Sequence, residues 1–117
     1  SSGVFTFPMT GIYYIEFRSL HKVALANGNI TYSGTCINKV ISGTTTSICQ
    51  SYASRAATSS GTYFYFINHC SVVFDCTDVA THKVSFAQND LNTGEPKMLA
   101  STTSNTSAIM FTRIGDT

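Results

Sequence analysis

The sequence predicts an all-β domain made of two packed antiparallel sheets, and three observations carry that expectation. Ser and Thr number 15 and 17 of 117 residues, while strong helix formers are few and scattered, so helix is disfavoured. Six Tyr and eight Phe stand with abundant Val, Ile and Thr between recurring Gly, Asn and Ser clusters, the composition of a sandwich or barrel and not of disorder. Several segments alternate apolar and polar side chains with a period of two.

The elements follow in order. Gly3 to Phe7 is a short extended run stopped by Pro8. Gly11 opens a second run, residues 12–23, in which Tyr13, Ile15 and Phe17 alternate with Tyr14, Glu16 and Arg18; the charged partners put the first set on the inner face. Ala26-Asn27-Gly28-Asn29 reads as a turn, because Asn-Gly tolerates the positive φ of a tight hairpin. Residues 30–41 and 47–53 read as weaker strands joined by Ser42-Gly43-Thr44, and residues 55–61 as a polar loop.

Residues 62–77 form the strongest segment. Phe64, Phe66, Cys70, Val72, Phe74 and Cys76 share one parity, and Tyr63, Tyr65, Ile67, His69, Val73 and Asp75 share the other. The first set is expected in the core. The second carries three bulky groups, Tyr63, Tyr65 and Ile67, that would leave an apolar patch on a monomer, so a partner subunit is expected to cover them. After a turn over residues 77–81, residues 83–87 pair back with Val84 and Phe86 inward. Residues 88–105 read as a long polar loop around Gly94 and Pro96, and residues 107–114 as a closing strand with Ile109 and Phe111 inward and Met110 outward.

One domain, residues 1–117, accommodates all of this, and a chain of this length buries roughly two thirds of its unfolded surface without needing a metal or staples. Seven Lys and Arg against six Asp and Glu give a formal net charge of +1 with no basic patch, which argues against nucleic-acid and membrane-surface partners. No apolar stretch reaches the ~20 residues of a spanning helix. The opening Ser-Ser-Gly carries no secretion signal and reads as the start of a fragment or a processed chain.

Phe5, Thr6, Pro8, Gly11 and Tyr13 stand at the spacing that opens the complement component 1q and tumour-necrosis-factor-like jelly-roll domain, and the run from Gly3 to Phe17 resembles it. The stretch Val72 to Phe86 and the close Met110 to Asp116 resemble, more narrowly, the versions of that domain in structural proteins of tailed bacteriophages and other viruses. Residues 24–61 match only by strand and turn pattern, and the strands that precede the Phe-Thr motif in the family are expected either upstream on a longer polypeptide or replaced by a neighbouring element. The resemblance implies an antiparallel two-sheet jelly-roll sandwich that assembles as a homotrimer, with Tyr13 and Phe17 at the family's core aromatic positions and Tyr63, Tyr65, Ile67 and Met110 toward a threefold contact. It implies no catalysis and no cofactor.

The remaining chemistry is sparse. Cys70 and Cys76, six residues apart on one strand, are separated by roughly 20 Å and cannot bridge. Either could pair with Cys36 or Cys49 across the fold, but the cysteine density is far below that of disulfide scaffolds, and four reduced thiols are the expectation. Such thiols fit assembly in a reducing cytosol. A zinc site from His69, Cys70, Cys76 and His82 lacks any Cys-x-x-Cys or His-x(3–5)-His spacing, and His69 and Cys70 point to opposite faces. His21, His69 and His82 read as hydrogen-bonded edge or interface residues, not as catalytic bases. Asp75 and Asp78 bracket a turn where Asx capping is a commoner use than calcium binding. Asn29-Ile30-Thr31 and Asn105-Thr106-Ser107 match the glycosylation sequon, a frequent accident in a Ser/Thr-rich chain.

Two function classes follow. The first is a non-enzymatic virion module, a capsid decoration or cement protein or a head fibre, assembled in the host cytoplasm and contacting other virion proteins. The second is the tip of a tail or surface fibre that binds a host polysaccharide or receptor, with an animal secreted signalling head as the other lineage.

Overall fold

A computed structural model describes residues 3–24, 30–55, 63–91 and 97–117. The turn expected at residues 26–29, most of the loop at 55–61, Thr62, and Gly94 and Pro96 lie outside the described residues.

The strands are β1 (Val4–Thr6), β2 (Gly11–Ala24), β3 (Ile30–Ile41), β4 (Thr44–Arg55), β5 (Tyr63–Cys76), β6 (His82–Leu91), β7 (Lys97–Leu99) and β8 (Ala108–Gly115). They form two antiparallel sheets. The first has the order β1-β6-β3-β4. In the second, β5 pairs with one edge of β2 along its whole length, from Gly11↔Cys76 to Ala24↔Tyr63. The other edge of β2 is shared, β8 covering Ile12 to Arg18 and β7 covering Leu20 to Lys22. Ser107 ties the two segments together: the Leu20 N–H donates to its Oγ (3.0 Å), and that hydroxyl donates to the Leu99 carbonyl oxygen (2.5 Å).

Local chemistry explains the boundaries. β3 and β4 are joined by Ser42 and Gly43 alone, both at positive φ (49° and 85°), the conformation of a two-residue hairpin whose twist matches its strands. Between β5 and β6, Asp78 caps the turn: the Ala80 N–H donates to Oδ1 (2.9 Å) and the Thr81 hydroxyl to Oδ2 (2.8 Å). Gly11 begins β2 at φ 150°, where a Cβ would meet Arg113 Nε at 2.5 Å and the Gly115 carbonyl oxygen at 2.8 Å.

The hydrophobic core lies at the β1 end of the sandwich. Phe7, Tyr13, Ile15, Phe17, Ile37, Cys70, Phe74, Cys76 and Val84 are buried together, with Val72 and Phe86 partly buried against them. Phe7 organises this end, its ring 4.5 Å from Tyr13, stacked 5.4 Å from Phe74 and edge-on to Phe111 at 5.9 Å. Tyr13 remains satisfied there by donating its hydroxyl to the Met9 carbonyl oxygen (2.8 Å).

Several expectations are corrected. Residues 88–105 are not one loop: β6 continues to Leu91 because β3 supplies a partner out to Tyr32, and β7 forms within the segment on the free edge of β2. Ile109 and Phe111 align with Phe17 and Ile15 on the inner face of β8, yet they are 38% and 37% exposed. The sandwich is open between β1 and β8, where Phe5, Phe7, Pro8, Met9, Tyr13 and Phe111 line an apolar cavity of about 410 Å³. Phe64 and Phe66 are half-buried and stand outside the core cluster, because the interior at their end is polar.

That polar interior was not expected. Ser19, His21, Ser33, Thr35 and Asn68 are all buried. His21 Nε2 lies 2.8 Å from Ser19 Oγ, and its ring stacks on Phe66 at 4.9 Å; Asn68 Nδ2 donates to the Ser33 carbonyl oxygen at 3.1 Å. His21 is therefore an internal hydrogen-bonding residue and not an edge residue.

Candidate functional site

The outer face of the β5-β2-β8/β7 sheet carries the side chains singled out for association. Strand alternation turns the odd positions of β5 outward with the even positions of β2, so register fixes which side chains adjoin. Tyr63 faces Ala24, Tyr65 faces Lys22, and Ile67 faces Leu20, which in turn faces Leu99 of β7. Tyr63, Tyr65 and Ile67 are 58%, 52% and 52% exposed. Lys22 Nζ sits 3.6 Å from the Tyr63 ring centroid and 6.0 Å from that of Tyr65, so its charge rides on the aromatic faces and its stem covers them.

Met110 shares this outer face and is 49% exposed, but the structure does not bring it to the tyrosines. It faces Glu16, across from Ser71 on β5, four residues along that strand from Ile67. That spacing is about 14 Å along the strand, with β2 between. The exposed apolar side chains of this face thus fall at two ends, Tyr63, Tyr65 and Ile67 with Leu20 at one and Met110 and Val73 at the other. Between them, His69 Nε2 lies 2.8 Å from Glu16 Oε1 in a polar band.

His69 is engaged with Glu16 and His82 contacts the Thr77 and Thr81 hydroxyls, while Cys70 and Cys76 are buried. Among the described residues, no three metal-binding side chains gather. Ser19 and His21 have the separation of a nucleophile–base pair, but both are fully buried, and their contact is an internal hydrogen bond. Burial raises the thiol pKa of Cys36 and Cys76, and burial with the adjacent Cys49 thiol pushes Cys70 up to about 11.

On the opposite sheet, the Tyr52 ring lies across Gly34 and edge-on to Tyr32 at 5.0 Å. Its hydroxyl donates to Gln50 Oε1 (2.6 Å) and accepts from Asn89 Nδ2 (3.0 Å). Sequence reasoning missed this arrangement; Gly34 in the middle of a strand segment was its one visible signal, since a strand glycine marks a close approach.

No protein-family model matches the chain, and no curated protein is matched by its sequence.

Proposed function

We propose that the chain is a non-enzymatic assembly module, a trimer-forming jelly roll of the complement component 1q and tumour-necrosis-factor-like type that serves a virion as capsid decoration, cement or head fibre. The observation that carries the association is the exposed Tyr63, Tyr65 and Ile67 patch, which is continuous with Leu20 and too apolar to be left in water without consequence. The jelly-roll reading is supported by the path of the chain, which passes back and forth between the sheets from β2 to β3, from β4 to β5 and from β5 to β6, leaving β3–β4 as a hairpin. The viral setting rests on the resemblance of residues 72–86 and 110–116 alone. Light scattering on the purified protein tests the assembly: a mass three times 12.6 kDa is expected, and a persistent monomer at high concentration overturns it. Electron microscopy of particles carrying the protein is expected to place threefold densities on the capsid or head fibres.

A second reading, recognition of a host polysaccharide, is favoured by Tyr52, a half-exposed ring flanked by amide side chains of the kind on which a sugar ring stacks. Titration with host-surface oligosaccharides is expected to lose its signal in Tyr52→Ala if this face binds them.

A further inference from the structure

We propose that Cys49 and Cys70 form an intramolecular disulfide joining the two sheets when the protein meets a hydroperoxide. All four cysteines are free thiols in the structure. Cys49 faces Ile37 across the β3–β4 ladder and packs against the core that contains Cys70. Its Sγ donates to the Ser71 carbonyl oxygen at 3.3 Å, so a β4 side chain touches the β5 main chain one residue from Cys70. Cys70 Sγ lies 4.0 Å from Thr35 Oγ1, and Thr35 is two positions along β3 from the residue facing Cys49. Stacked sheets stand about 10 Å apart, but β4 and β5 approach to within 8 Å between Cα atoms, and the Cys49 and Cys70 thiols are close enough to hydrogen-bond each other, so a small backbone adjustment brings them to bridging geometry.

The two thiols differ in access, and the raised pKa of Cys70 makes its attack, once Cys49 is oxidised, the slow step. Cys49 is partly exposed and can meet the oxidant, whereas Cys70 is buried and protonated at neutral pH. The Cys49 thiolate attacks one peroxide oxygen; the O–O bond breaks, the departing oxygen takes a proton and leaves as water or an alcohol, and Cys49 becomes a sulfenic acid. Cys70 sulfur then attacks Cys49 sulfur; the S–S bond forms, the S–O bond breaks, and the Cys70 proton leaves with the hydroxide as water. Two thiols are oxidised and one peroxide is reduced. The bridge closes the β4/β5 side of the sandwich, the side away from the opening between β1 and β8. The inference is independent of the trimer.

The test is hydrogen peroxide treatment of the full chain, followed by denaturing alkylation and non-reducing peptide mapping. Two of the four thiols are expected to disappear, with a Cys49–Cys70 linked peptide in a product that migrates as a monomer. Cys36→Ser and Cys76→Ser are expected to retain the link, and Cys70→Ser to leave Cys49 as a sulfenic acid trapped by dimedone. Four surviving thiols, a link through Cys36 or Cys76, an intermolecular bridge, or Cys49 oxidised to sulfinic acid beside a free Cys70 would each overturn the proposal.

Discussion

Gly34, like Gly11, cannot take a side chain. A Cβ on Gly34 would collide with the Tyr52 ring and the Ser51 carbonyl oxygen, and the backbone atom cannot yield. Gly34→Ala is therefore expected to cost about 1–3 kcal/mol by overpacking, read as a lower urea midpoint. An unchanged midpoint would mean that the ring does not rest there. Asp78 gives a pH dependence of definite sign. The Ala80 N–H, first, and then the Thr81 hydroxyl hold its carboxyl below the ordinary aspartate range. A depressed carboxyl contributes stability above its unfolded pKa and loses it as pH falls through the folded value. The stability advantage of the wild type over Asp78→Asn should accordingly shrink as the pH is lowered from 5 through the ordinary carboxylate range, followed by urea titrations at each pH; parallel curves would exclude the cap as the cause. Asp78 was legible in the sequence because an Asx turn is local chemistry. The burial of His21 was not, since Ser19 is a local partner but Ser33 lies on another strand and Phe66 on a third.

At the scale of elements, β5 tests how far alternation determines burial. Phe74 and Val73 are neighbours in sequence, one buried against Phe7 and the other turned out on the sheet face. Phe74→Ala is expected to destabilise by about 3–5 kcal/mol and Val73→Ser by no more than about 0.5 kcal/mol, as measured by chemical denaturation. Comparable losses from both would show that the outer face is also packed. The period of two placed the odd and even positions of β5 correctly over 70–76, where the facing interior is aromatic. At 64–66 the same parity points inward onto a serine- and histidine-containing interior, and full burial does not follow. β7 has only three residues and no periodicity; it exists because β2 outruns β8 and offers an unpaired edge. The polar end of β6 is a strand for the same reason, as a neighbour and not its own composition decides it.

The whole molecule is long, with extents of 52 × 31 × 23 Å and a radius of gyration of 16.1 Å, against about 13 Å for a compact domain of this size. The 14-residue strands β2 and β5 set that length and lay the exposed sheet face along it. In the proposed trimer, a standard interface needs about 800 Å² from each partner, more than Tyr63, Tyr65 and Ile67 supply, so the proposed contact includes Leu20, Leu99 and the stem of Lys22 beside them. Because these three side chains are already about half covered, burying the rest is worth roughly half of the ~1.5–3 kcal/mol of a full side-chain burial for each of them, which still makes them the main contributors to the proposed association. The double variant Tyr65→Ser/Ile67→Ser is therefore expected to sediment as a 12.6 kDa monomer with an unchanged far-ultraviolet circular dichroism spectrum, because neither residue belongs to the core cluster. Met110→Ser separates two geometries. If the contact is confined to the upper patch, the variant stays trimeric with wild-type dissociation; if a neighbouring subunit spans β2 as far as β8, dissociation rises with the loss of a buried thioether side chain. A double variant that remains trimeric with undiminished stability would remove Tyr65, Ile67 and the sheet face around them from the proposed assembly, because the loss of two half-exposed apolar side chains from a buried contact must weaken it.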